Sequence, residues 1–576
     1  MRSWLYLLGV LGDEELHNLA WEQMTQHLNL LEQRIRDVAE TNPFALHWQV
    51  RDLTSGDLIG QSERTVLGSF STRKVSVLLA CLALVKSEKL NLTTGYVISP
   101  ELKDGVQAGV MRNLSSGVEL SLQDHLAQMM ITSDNICTQI IFQAIEEATG
   151  DALQWINDYC SQLGLHDTLH REVFPRSAEL SWSHSTDTMT VTSAHDQALL
   201  LELLARGCSE ESTAIDLGLD SKLCVFAVEL MSHLFTPLLG ARVARGRFAE
   251  KNGRGIRGLS QVGILLDDQD QPVASVAFFA EAIPVELIDG TPGRARAIEC
   301  FVKLGELLEE FFLDGTPSEF AQRQVIEPDY WEQEYGELLC AVEGGRAINE
   351  HMVFPFSGVG KLFFAHTLVA LEDEHPGLFD NKIEITSHHR AMADSGPLRF
   401  LTGTIQLTVD DAVALMLQTG DGAATMGLLG FVEASGINII DDAHRVLEHL
   451  ENTTVTGLED RSMGEGFIGT TTAADILTLL RQIIDNNGRL KTWMSAVFEP
   501  AGLANALPGY GPHTVEHWTV SGWARIYSLK LDQGRTSALI LQCADRLVGL
   551  TAHAPVGTQD VSAKFGSLGL STLVRA

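Results

Sequence analysis

The residues with the clearest capacity for chemistry are Ser71 and Lys74, which lead into the apolar run Val75 to Val85. A serine three positions before a lysine at the start of a helix places a hydroxyl and an amine about one turn apart on one face. A serine hydroxyl needs a proton acceptor to attack a carbonyl at neutral pH, and a lysine whose pKa is lowered by burial can serve. The pair therefore predicts a nucleophile beside its base. The alternative is a helix cap with a solvated lysine one turn on.

A second polar triplet, Ser133-Asp134-Asn135, follows a helical pattern that begins with a capping box at Ser121 and Asp124. This pattern predicts that a helix ends at Ser133. The turn after it would present short polar side chains.

A third triplet, Lys251-Asn252-Gly253, follows the segment Val243 to Glu250 and precedes the strand-like run Leu259 to Leu266. The lysine is thus expected beside a sheet edge, where its charge can meet an anionic group. A surface charge is the alternative.

In this order, the three triplets resemble the Ser-x-x-Lys, Ser-Asp-Asn and Lys-Thr-Gly set of class A β-lactamases and penicillin-binding proteins, with Asn252 in place of the threonine. The resemblance implies that Ser71 is the acylating nucleophile and Lys74 its base or proton relay. Ser133 would pass the proton to the departing amide nitrogen, and Asn135 would bind the side-chain amide of the substrate.

The same resemblance implies a site for the substrate carboxylate and an oxyanion hole. Lys251 would pair with the carboxylate, and the strand around it would contribute Asn252, Gly253 and Arg254 to substrate binding. The backbone N–H groups of Ser71 and Arg254 would stabilise the oxyanion. No cofactor and no metal is implied.

The residue that would activate water for deacylation stays open. The family carries a glutamate in a Glu-x-x-Leu-Asn setting, and the corresponding segment here runs from Arg171 to Ser181. Glu172 is the favoured candidate. If Leu180-Ser181 stands for Leu-Asn, the glutamate position is Ser177, and Glu179 is a third possibility.

Composition limits the class of partner. The 576 residues include 75 acidic and 41 basic side chains, so the formal net charge of −34 opposes nucleic acid and anionic membranes as partners. No apolar run is long enough for a transmembrane helix. The eight cysteines show no Cys-x-x-Cys pair and indicate no disulfide framework. The apolar start Met1 to Gly12 is short for a signal peptide, so we expect a cytoplasmic protein, with secretion as the alternative that the family suggests.

The order of predicted elements indicates an α+β fold. An amphipathic helix and a β-hairpin open the chain, a helical middle follows, and strands and a last helix close the first half. One antiparallel sheet would form from both ends of this segment, with an all-helical subdomain inserted. The predicted elements are a helix over Glu14 to Glu40, hairpin strands at His47 to Leu53 and Leu58 to Gly60, strands at Arg245 to Glu250, Leu259 to Leu266 and Val273 to Glu281, and a helix over Gly293 to Phe312.

The second half repeats the first. The capping box at Ser121 and Asp124 recurs 287 positions later as Thr408 and Asp411. Further echoes pair Thr192 to Asp196 with Thr471 to Asp475, and the Asp267 hairpin with Asp532 to Arg535. We therefore predict a tandem duplication with a helical segment at 1–40, a catalytic domain at 41–313, a linker at 314–329 and a second domain at 330–576.

The second copy lacks the chemical groups of the first. At the offset of 287, Gly358 replaces Ser71 and Gly420 replaces Ser133, and Val520-Ser521-Gly522 stands for the Lys-Asn-Gly triplet. Lys361 remains. Ser357 could serve only after a one-residue slip at the helix start, so we predict a non-catalytic domain that pairs with the first.

These features predict a serine hydrolase of the β-lactamase type that opens β-lactam amides through a Ser71 acyl-enzyme. One alternative is a penicillin-binding protein, or an amide or ester hydrolase of the same mechanism, with slow deacylation. Another is a non-catalytic binding scaffold. The glycine pattern Gly253 to Gly258 does not predict a nucleotide site, because a strand and not a helix follows it.

Overall fold

The computed structural model describes most of the chain, with gaps. The described residues are 28–106, 108–115, 117–173, 187–288, 293–313, 338–342, 347–459, 464–486, 488–494, 503, 517–521, 535–543, 546–555, 564–565, 568–569 and 572. The short apolar start, the predicted linker 314–329, and the candidates Ser177 and Glu179 lie outside these residues.

The first copy is built on a five-stranded antiparallel sheet in the order β2-β1-β9-β8-β7. Strands from the beginning and from the end of the first copy thus pair in one sheet, as the α+β prediction requires. The strands of this copy, including four short ones outside the sheet, are β1 (Ala45–Asp52), β2 (Leu58–Gln61), β3 (Leu67–Gly68), β4 (Gly95–Val97), β5 (Glu119–Ser121), β6 (Val191–Thr192), β7 (Arg247–Arg254), β8 (Leu259–Leu266) and β9 (Pro272–Glu281).

The second copy has a five-stranded sheet with the same arrangement, β11-β10-β19-β18-β17. Each of its strands holds the place of its counterpart in the first sheet. The described strands of this copy, both within and outside this sheet, are β10 (Leu339–Val342), β11 (Ala347–Ile348), β12 (Phe354–Pro355), β13 (Lys382–Ile385), β14 (Ile405–Thr408), β15 (Thr454–Leu458), β16 (Phe467–Thr471), β17 (His517–Ser521), β18 (Arg535–Cys543) and β19 (Arg546–Ala554).

Helices make up the rest of both copies. In the first copy they are α1 (28–40), α2 (Lys74–Lys86), α3 (Leu122–Ile131), α4 (Asn135–Thr149), α5 (Ala152–Gln162), α6 (Ala194–Gly207), α7 (Glu211–Asp216), α8 (Ser221–Met231) and α9 (Gly293–Phe312). In the second they are α10 (Gly360–Glu374), α11 (Ser387–Met392), α12 (Val409–Thr419), α13 (Gly422–Ala434), α14 (Ile439–Val446), α15 (Ala473–Asn486) and α16 (Arg489–Trp493). No described helix alone has the length and apolarity to cross a membrane. Taken together, α13 and α14 have that length and composition, but their axes are bent by 100°.

Two hydrophobic layers fix the first sheet. On one face, α1 and α9 bury their apolar sides against Trp48 and Phe278, whose rings are stacked at 6.1 Å, and Phe301 of α9 lies edge-on to Phe278 at 6.4 Å. The other face is covered by α6, which packs on β9 and β1. The helical middle of the first copy and that of the second belong to one continuous buried cluster. The sheet and the helical part meet where β7 contacts the turn Phe70–Arg73, which precedes α2.

Backbone strain repeats at the same offset as the sequence. Phe70 and Ser357, both non-glycine residues, adopt positive φ angles of 50° and 43°. Ser133 and Gly420 do the same, at 57° and 59°. Left-handed geometry at a non-glycine residue is uncommon and costs energy. Its recurrence at an offset of 287 indicates that both copies keep the same two turns.

Three predicted boundaries need correction. The helix expected to end at Ser133 ends at Ile131, because Ser133 has a positive φ that an α-helix cannot hold. The strand expected to stop at Glu250 continues to Arg254, so the Lys-Asn-Gly triplet lies within β7. Asp532 to Arg535 does not match the Asp267 hairpin, because it falls between β17 and β18, and 532–534 lie outside the described residues. Both segments contain Asp followed by Gln, so composition alone does not identify the turn.

Candidate active site

Ser71 lies in a tight turn that precedes helix α2. The turn is the 3-10 segment Phe70–Arg73, and the backbone N–H of Lys74 donates to Ser71 O. Thr72 Oγ1 donates to Ser69 O at 2.6 Å and closes the same turn. Ser71 Oγ has no hydrogen-bond partner among the described residues. Ser71 is thus partly exposed just before the start of α2, about one helical turn before Lys74.

Lys74 points its ammonium group at the Ser133 loop. Its Nζ donates to Ser133 O at 2.7 Å, to Ser133 Oγ at 3.2 Å and to Asn135 Oδ1 at 2.7 Å. The side chain is only 1% exposed. Burial lowers the pKa of Lys74 to about 7, with the neighbouring Arg73 charge adding to the effect and Asp134 opposing it. An amine that loses its proton near neutral pH can act as a base.

The Ser133 loop is fixed by Asp134, whose carboxylate caps helix α4. Asp134 Oδ1 accepts from the backbone N–H groups of Ile136 and Cys137 at 2.9 and 3.0 Å, and its Oδ2 accepts from Met111 N at 2.8 Å. Gly109 passes directly beside this carboxylate: a Cβ on Gly109, whose φ is 104°, would lie 2.0 Å from Asp134 Oδ2. These contacts hold Ser133 and Asn135 on either side of a rigid cap.

Lys251 approaches the same region from strand β7. Its Nζ donates to Asn252 O at 2.9 Å and to Asn252 Oδ1 at 3.1 Å, while the Asn252 amide donates to Thr236. The side chain of Lys251 is completely buried. Burial lowers its pKa well below the usual range, and the charge of Lys74 lowers it further. A positive charge on Lys74 thus disfavours a second charge on Lys251.

The glycines that follow Lys251 pack against Phe70. A Cβ on Gly253 would lie 2.9 Å from Phe70 Cβ and 3.0 Å from Ser69 O. Cβ atoms on Gly255 and Gly258 would lie 2.2 and 2.6 Å from the Phe70 ring. The pattern Gly253 to Gly258 thus lets the end of β7 come against the turn that carries Ser71.

Glu172 lies against Arg73 and not against the serine. Arg73 Nη1 donates to Glu172 Oε1 at 2.8 Å, and Thr190 Oγ1 donates to Glu172 Oε2 at 2.9 Å. Each carboxylate oxygen therefore accepts a hydrogen bond from a neighbouring side chain. The structure records no hydrogen bond between Glu172 and Ser71, Lys74 or Ser133, all of which it describes.

The predicted residues thus divide into three groups. Hydrogen bonds join Lys74, Ser133 and Asn135, and Ser71 lies one turn from Lys74. Lys251, Asn252, Gly253 and Arg254 lie along β7, which contacts the turn that carries Ser71. Glu172 belongs to a separate ion pair.

Sequence reasoning missed two residues that build the site. The backbone carbonyl of Gln128, on α3, accepts a hydrogen bond from Asp134 N at 3.2 Å. The side-chain amide of Gln128 donates to Pro397 O of the second copy at 3.1 Å. Thr236 accepts from Asn252. Neither residue stands at a recognisable spacing from a triplet, so only the fold reveals them.

In the second copy, the corresponding turn carries no serine at the nucleophile position. Ser357 holds the place of Phe70, with the same positive φ, and Gly358 holds the place of Ser71. The one-residue slip that would bring Ser357 into use is not present. Lys361 is retained and is 2% exposed.

A family model matches both copies of the chain. The model of the beta-lactamase enzyme family matches residues 30–311 and again residues 336–534. A comparison with curated proteins returned no significant match.

Solved structures similar to the chain align with about half of it. A beta-lactamase from Sphaerobacter thermophilus DSM 20745 is 18% identical, with a TM-score of 0.41, over 50% of this chain and 98% of that one. The protein PBP-A is 19% identical, with a TM-score of 0.41, over 50% of this chain and 97% of that one. The chromosome-encoded beta-lactamase of Vibrio parahaemolyticus is 15% identical, with a TM-score of 0.41, over 50% and 100%.

Proposed function

Because the chain belongs to the beta-lactamase enzyme family, we propose that its first copy is a serine hydrolase in which Ser71 attacks the amide carbonyl of a β-lactam. The observation that carries the proposal is the triple contact of Lys74 Nζ with Ser133 O, Ser133 Oγ and Asn135 Oδ1. It joins the first two triplets in one network, one turn from the serine hydroxyl.

The acylation step uses the groups in a fixed order. Ser71 Oγ forms a bond to the carbonyl carbon while its proton moves to the neutral amine of Lys74. The tetrahedral intermediate collapses by cleavage of the C–N bond, and Ser133 Oγ gives its proton to the departing nitrogen. Lys74 then returns a proton to Ser133 through their 3.2 Å contact. The product is an ester between the opened substrate and Ser71.

The oxyanion and the substrate are held by groups that border the serine. The backbone N–H groups of Ser71 and Arg254 stabilise the oxyanion, and one such donor contributes about 3 to 4 kcal/mol in the transition state. The close approach of Gly253 to the Ser71 turn supports this pairing. Asn135 binds the substrate amide.

The carboxylate of the substrate binds along β7. Lys251, Asn252, Gly253 and Arg254 form this part of the site, and Lys251 supplies the positive charge. Burial is the main cause of the lowered pKa of Lys251, and an anionic ligand beside its ammonium group would favour the charged form again.

Deacylation is slow in a second candidate function, a penicillin-binding protein or an amide or ester hydrolase of the same mechanism. The observation that favours it is the engagement of both Glu172 oxygens by Arg73 and Thr190. A carboxylate held in this way is not free to activate a water at the Ser71 ester. Glu172 then serves to anchor Arg73, and the acyl-enzyme persists.

The second copy, 330–576, is a non-catalytic partner of the catalytic domain 41–313, which the segment 1–40 completes and the linker 314–329 joins to it. The contact of Gln128 with Pro397 and the bond from Asn113 Nδ2 to Gln418 Oε1, at 2.9 Å, support this pairing. A binding scaffold without any reaction is the remaining alternative.

Nitrocefin turnover by the full chain tests the proposal, with Ser71→Ala as the matched control. Turnover by the wild type that is lost in the variant supports the β-lactamase. A persistent covalent adduct without turnover supports the slow enzyme. If neither appears at any pH between 5 and 9, the chain is a scaffold and the proposal is wrong.

A further inference from the structure

The vestigial cleft of the second copy contains a carboxylate from its own chain. Gly360 N donates to Glu465 Oε2 at 2.7 Å, and the backbone N–H groups of Gly358 and Lys361 also donate to this carboxylate. Glu465 is half-buried as a residue, but its carboxylate points inward, and burial raises its pKa against the opposing charge of Lys361. Three backbone amides therefore hold one carboxylate, and the charge of the buried Lys361 favours its ionised form.

Each group that surrounds Glu465 corresponds to a member of the first site. At the offset of 287, Gly358 corresponds to Ser71 and Lys361 to Lys74. The neighbouring Gly464 packs on Gly420, the counterpart of Ser133, so closely that a Cβ on Gly464 would lie 2.2 Å from Gly420 O. The segment 464–466 thus lies directly over the counterparts of both serines.

A shorter loop explains how this segment reaches the cleft. In the first copy, the hydroxyls of Thr168 and Thr192 are 2.8 Å apart and the residues are 24 positions apart. In the second, Thr453 and Thr471 make the same contact at 2.8 Å with a separation of 18 positions. The first threonine of each pair also donates to an aspartate, Asp196 or Asp475. The second loop is therefore six residues shorter between equivalent points.

The loop is held in this position from its other side. Glu459 Oε2 accepts from the backbone N–H groups of Glu465 and Gly466, both at 3.1 Å. Phe467 packs edge-on against Phe364, with ring centroids 4.9 Å apart. The Glu465 side chain is thus presented by a fixed backbone and not by a free loop.

We propose that the second copy is a closed pseudo-site in which Glu465 occupies, as a built-in ligand, the anion position formed by Lys361 and the amides at the start of α10. The anion that this position accepts is a carboxylate. The pseudo-site excludes acyl donors from the second copy and holds its helix start together. Removal of the Glu465 side chain opens a site for a small free carboxylate such as formate or acetate. This inference does not depend on the reaction at Ser71.

The test is chemical rescue in the full chain. Glu465→Ala lowers the midpoint of thermal unfolding by about 5 °C or more, because it leaves the backbone amides at the start of α10 without their acceptor and removes the negative charge that Lys361 favours. Sodium acetate or formate then restores at least half of this loss, while sodium chloride at equal ionic strength does not. Glu433→Ala, which removes an exposed carboxylate on α13, shows neither the loss nor the rescue. The double variant Glu465→Ala/Lys361→Met loses the response to acetate.

Hydrogen exchange gives a second readout that needs no destabilised variant. In the wild-type protein, the amides of Gly358, Gly360 and Lys361 exchange at least a hundredfold slower than free amides, and Glu465→Gln accelerates them. Fast exchange at these amides in the wild type would overturn the proposal. Equal responses of Glu465→Ala to acetate and chloride would do so as well. Both readouts are independent of β-lactam chemistry, so they distinguish a failure here from a failure of the proposed function.

Discussion

Asp124 of the first copy accepts two hydrogen bonds from Thr402 of the second, from the backbone N–H at 2.7 Å and from the hydroxyl at 3.0 Å. Asp411 accepts the same two bonds from Ser115, at 2.6 and 2.9 Å. Asp411 and Thr402 each follow their first-copy counterparts, Asp124 and Ser115, by 287 positions. Each contact is therefore the counterpart of the other with the roles of the two copies reversed, as in an isologous contact between identical subunits.

This reciprocity predicts equal effects of two distant substitutions. Ser115→Ala and Thr402→Ala each remove a hydroxyl that donates to a carboxylate, and each lowers the free energy of unfolding by about 1 to 2 kcal/mol. Urea unfolding of the full chain measures the loss. The exposed Thr404, near the same interface, is the control, and Thr404→Ala changes the stability by less than about 0.5 kcal/mol. A loss in only one of the two variants would contradict the symmetric interface.

The glycines beside the two capping aspartates offer a matched pair. A Cβ on Gly109 meets Asp134 Oδ2 at 2.0 Å, and a Cβ on Gly396, whose φ is 85°, meets Asp421 Oδ2 at 2.4 Å. Gly109→Ala and Gly396→Ala each destabilise the protein by about 2 kcal/mol or more, because both clash and strain result. Only Gly109→Ala slows acylation, since only this substitution displaces Ser133.

The control for this pair is Gly117→Ala. Gly117 has a φ of 92°, but a Cβ there has no atom within 4 Å, so the variant carries the backbone strain without the clash. It retains the acylation rate of the wild type. Equal slowing by Gly109→Ala and Gly396→Ala in a β-lactam acylation assay would show that the effect does not act through Ser133.

The pKa of Lys74 sets the pH dependence of acylation. Burial lowers this pKa from 10.5 to about 7, so the amine is charged below pH 7 and cannot accept the Ser71 proton. The acylation rate therefore rises about tenfold per pH unit below 7 and levels off above it. Stopped-flow acylation between pH 5 and 9 measures the profile. A rate that falls with pH across this range would exclude a neutral Lys74 as the base.

The lowered pKa of Lys74 also makes the free energy of unfolding depend on pH. Because the folded pKa lies below the unfolded one, the unfolded chain binds more protons between about pH 7 and 10.5. The contribution of Lys74 to stability thus increases as the pH rises through this window. Lys74→Met removes this pH-dependent part, which a comparison of the urea midpoints of the two proteins at pH 7 and pH 9 would reveal.

The ion pair of Arg73 and Glu172 predicts a structural and not a chemical phenotype. Arg73 is 3% exposed and the Glu172 side chain 22%, so Glu172→Gln costs about 1 to 3 kcal/mol of stability by removing a charge partner. The lifetime of the acyl-enzyme changes by less than about threefold. Mass spectrometry after removal of free penicillin gives this lifetime. A large extension of it would identify Glu172 as the deacylation base.

The sequence predicts long periodic elements well, because their signal is repeated along many residues. The helix Gly293–Phe312 and the strand Leu259–Leu266 have the boundaries that the pattern predicts. Short polar segments behave differently. The position of Glu172 in the chain makes it the favoured deacylation base, and its hydrogen-bond partner Arg73 is 99 residues away in sequence. No local pattern contains that contact.

The glycines of the site show a similar limit. Gly253 to Gly258 matches a pattern for phosphate binding, but in the structure these glycines make room for the Phe70 ring. A glycine indicates that another group lies close to the backbone, but it does not identify that group. The loss of Ser71 and Ser133 in the second copy was visible from the sequence, whereas the Glu465 contact that fills the resulting space was not.

The most direct test of the central claim is the intact mass of the full chain after incubation with benzylpenicillin. Ring opening on Ser71 releases no fragment, so the account predicts either a gain of one whole penicillin per chain or, where the ester is hydrolysed, nitrocefin turnover by the wild type. Either result is retained in Ser357→Ala and absent in Ser71→Ala. An adduct that survives in Ser71→Ala would contradict the account. So would a wild-type chain that gains no mass and turns over no nitrocefin.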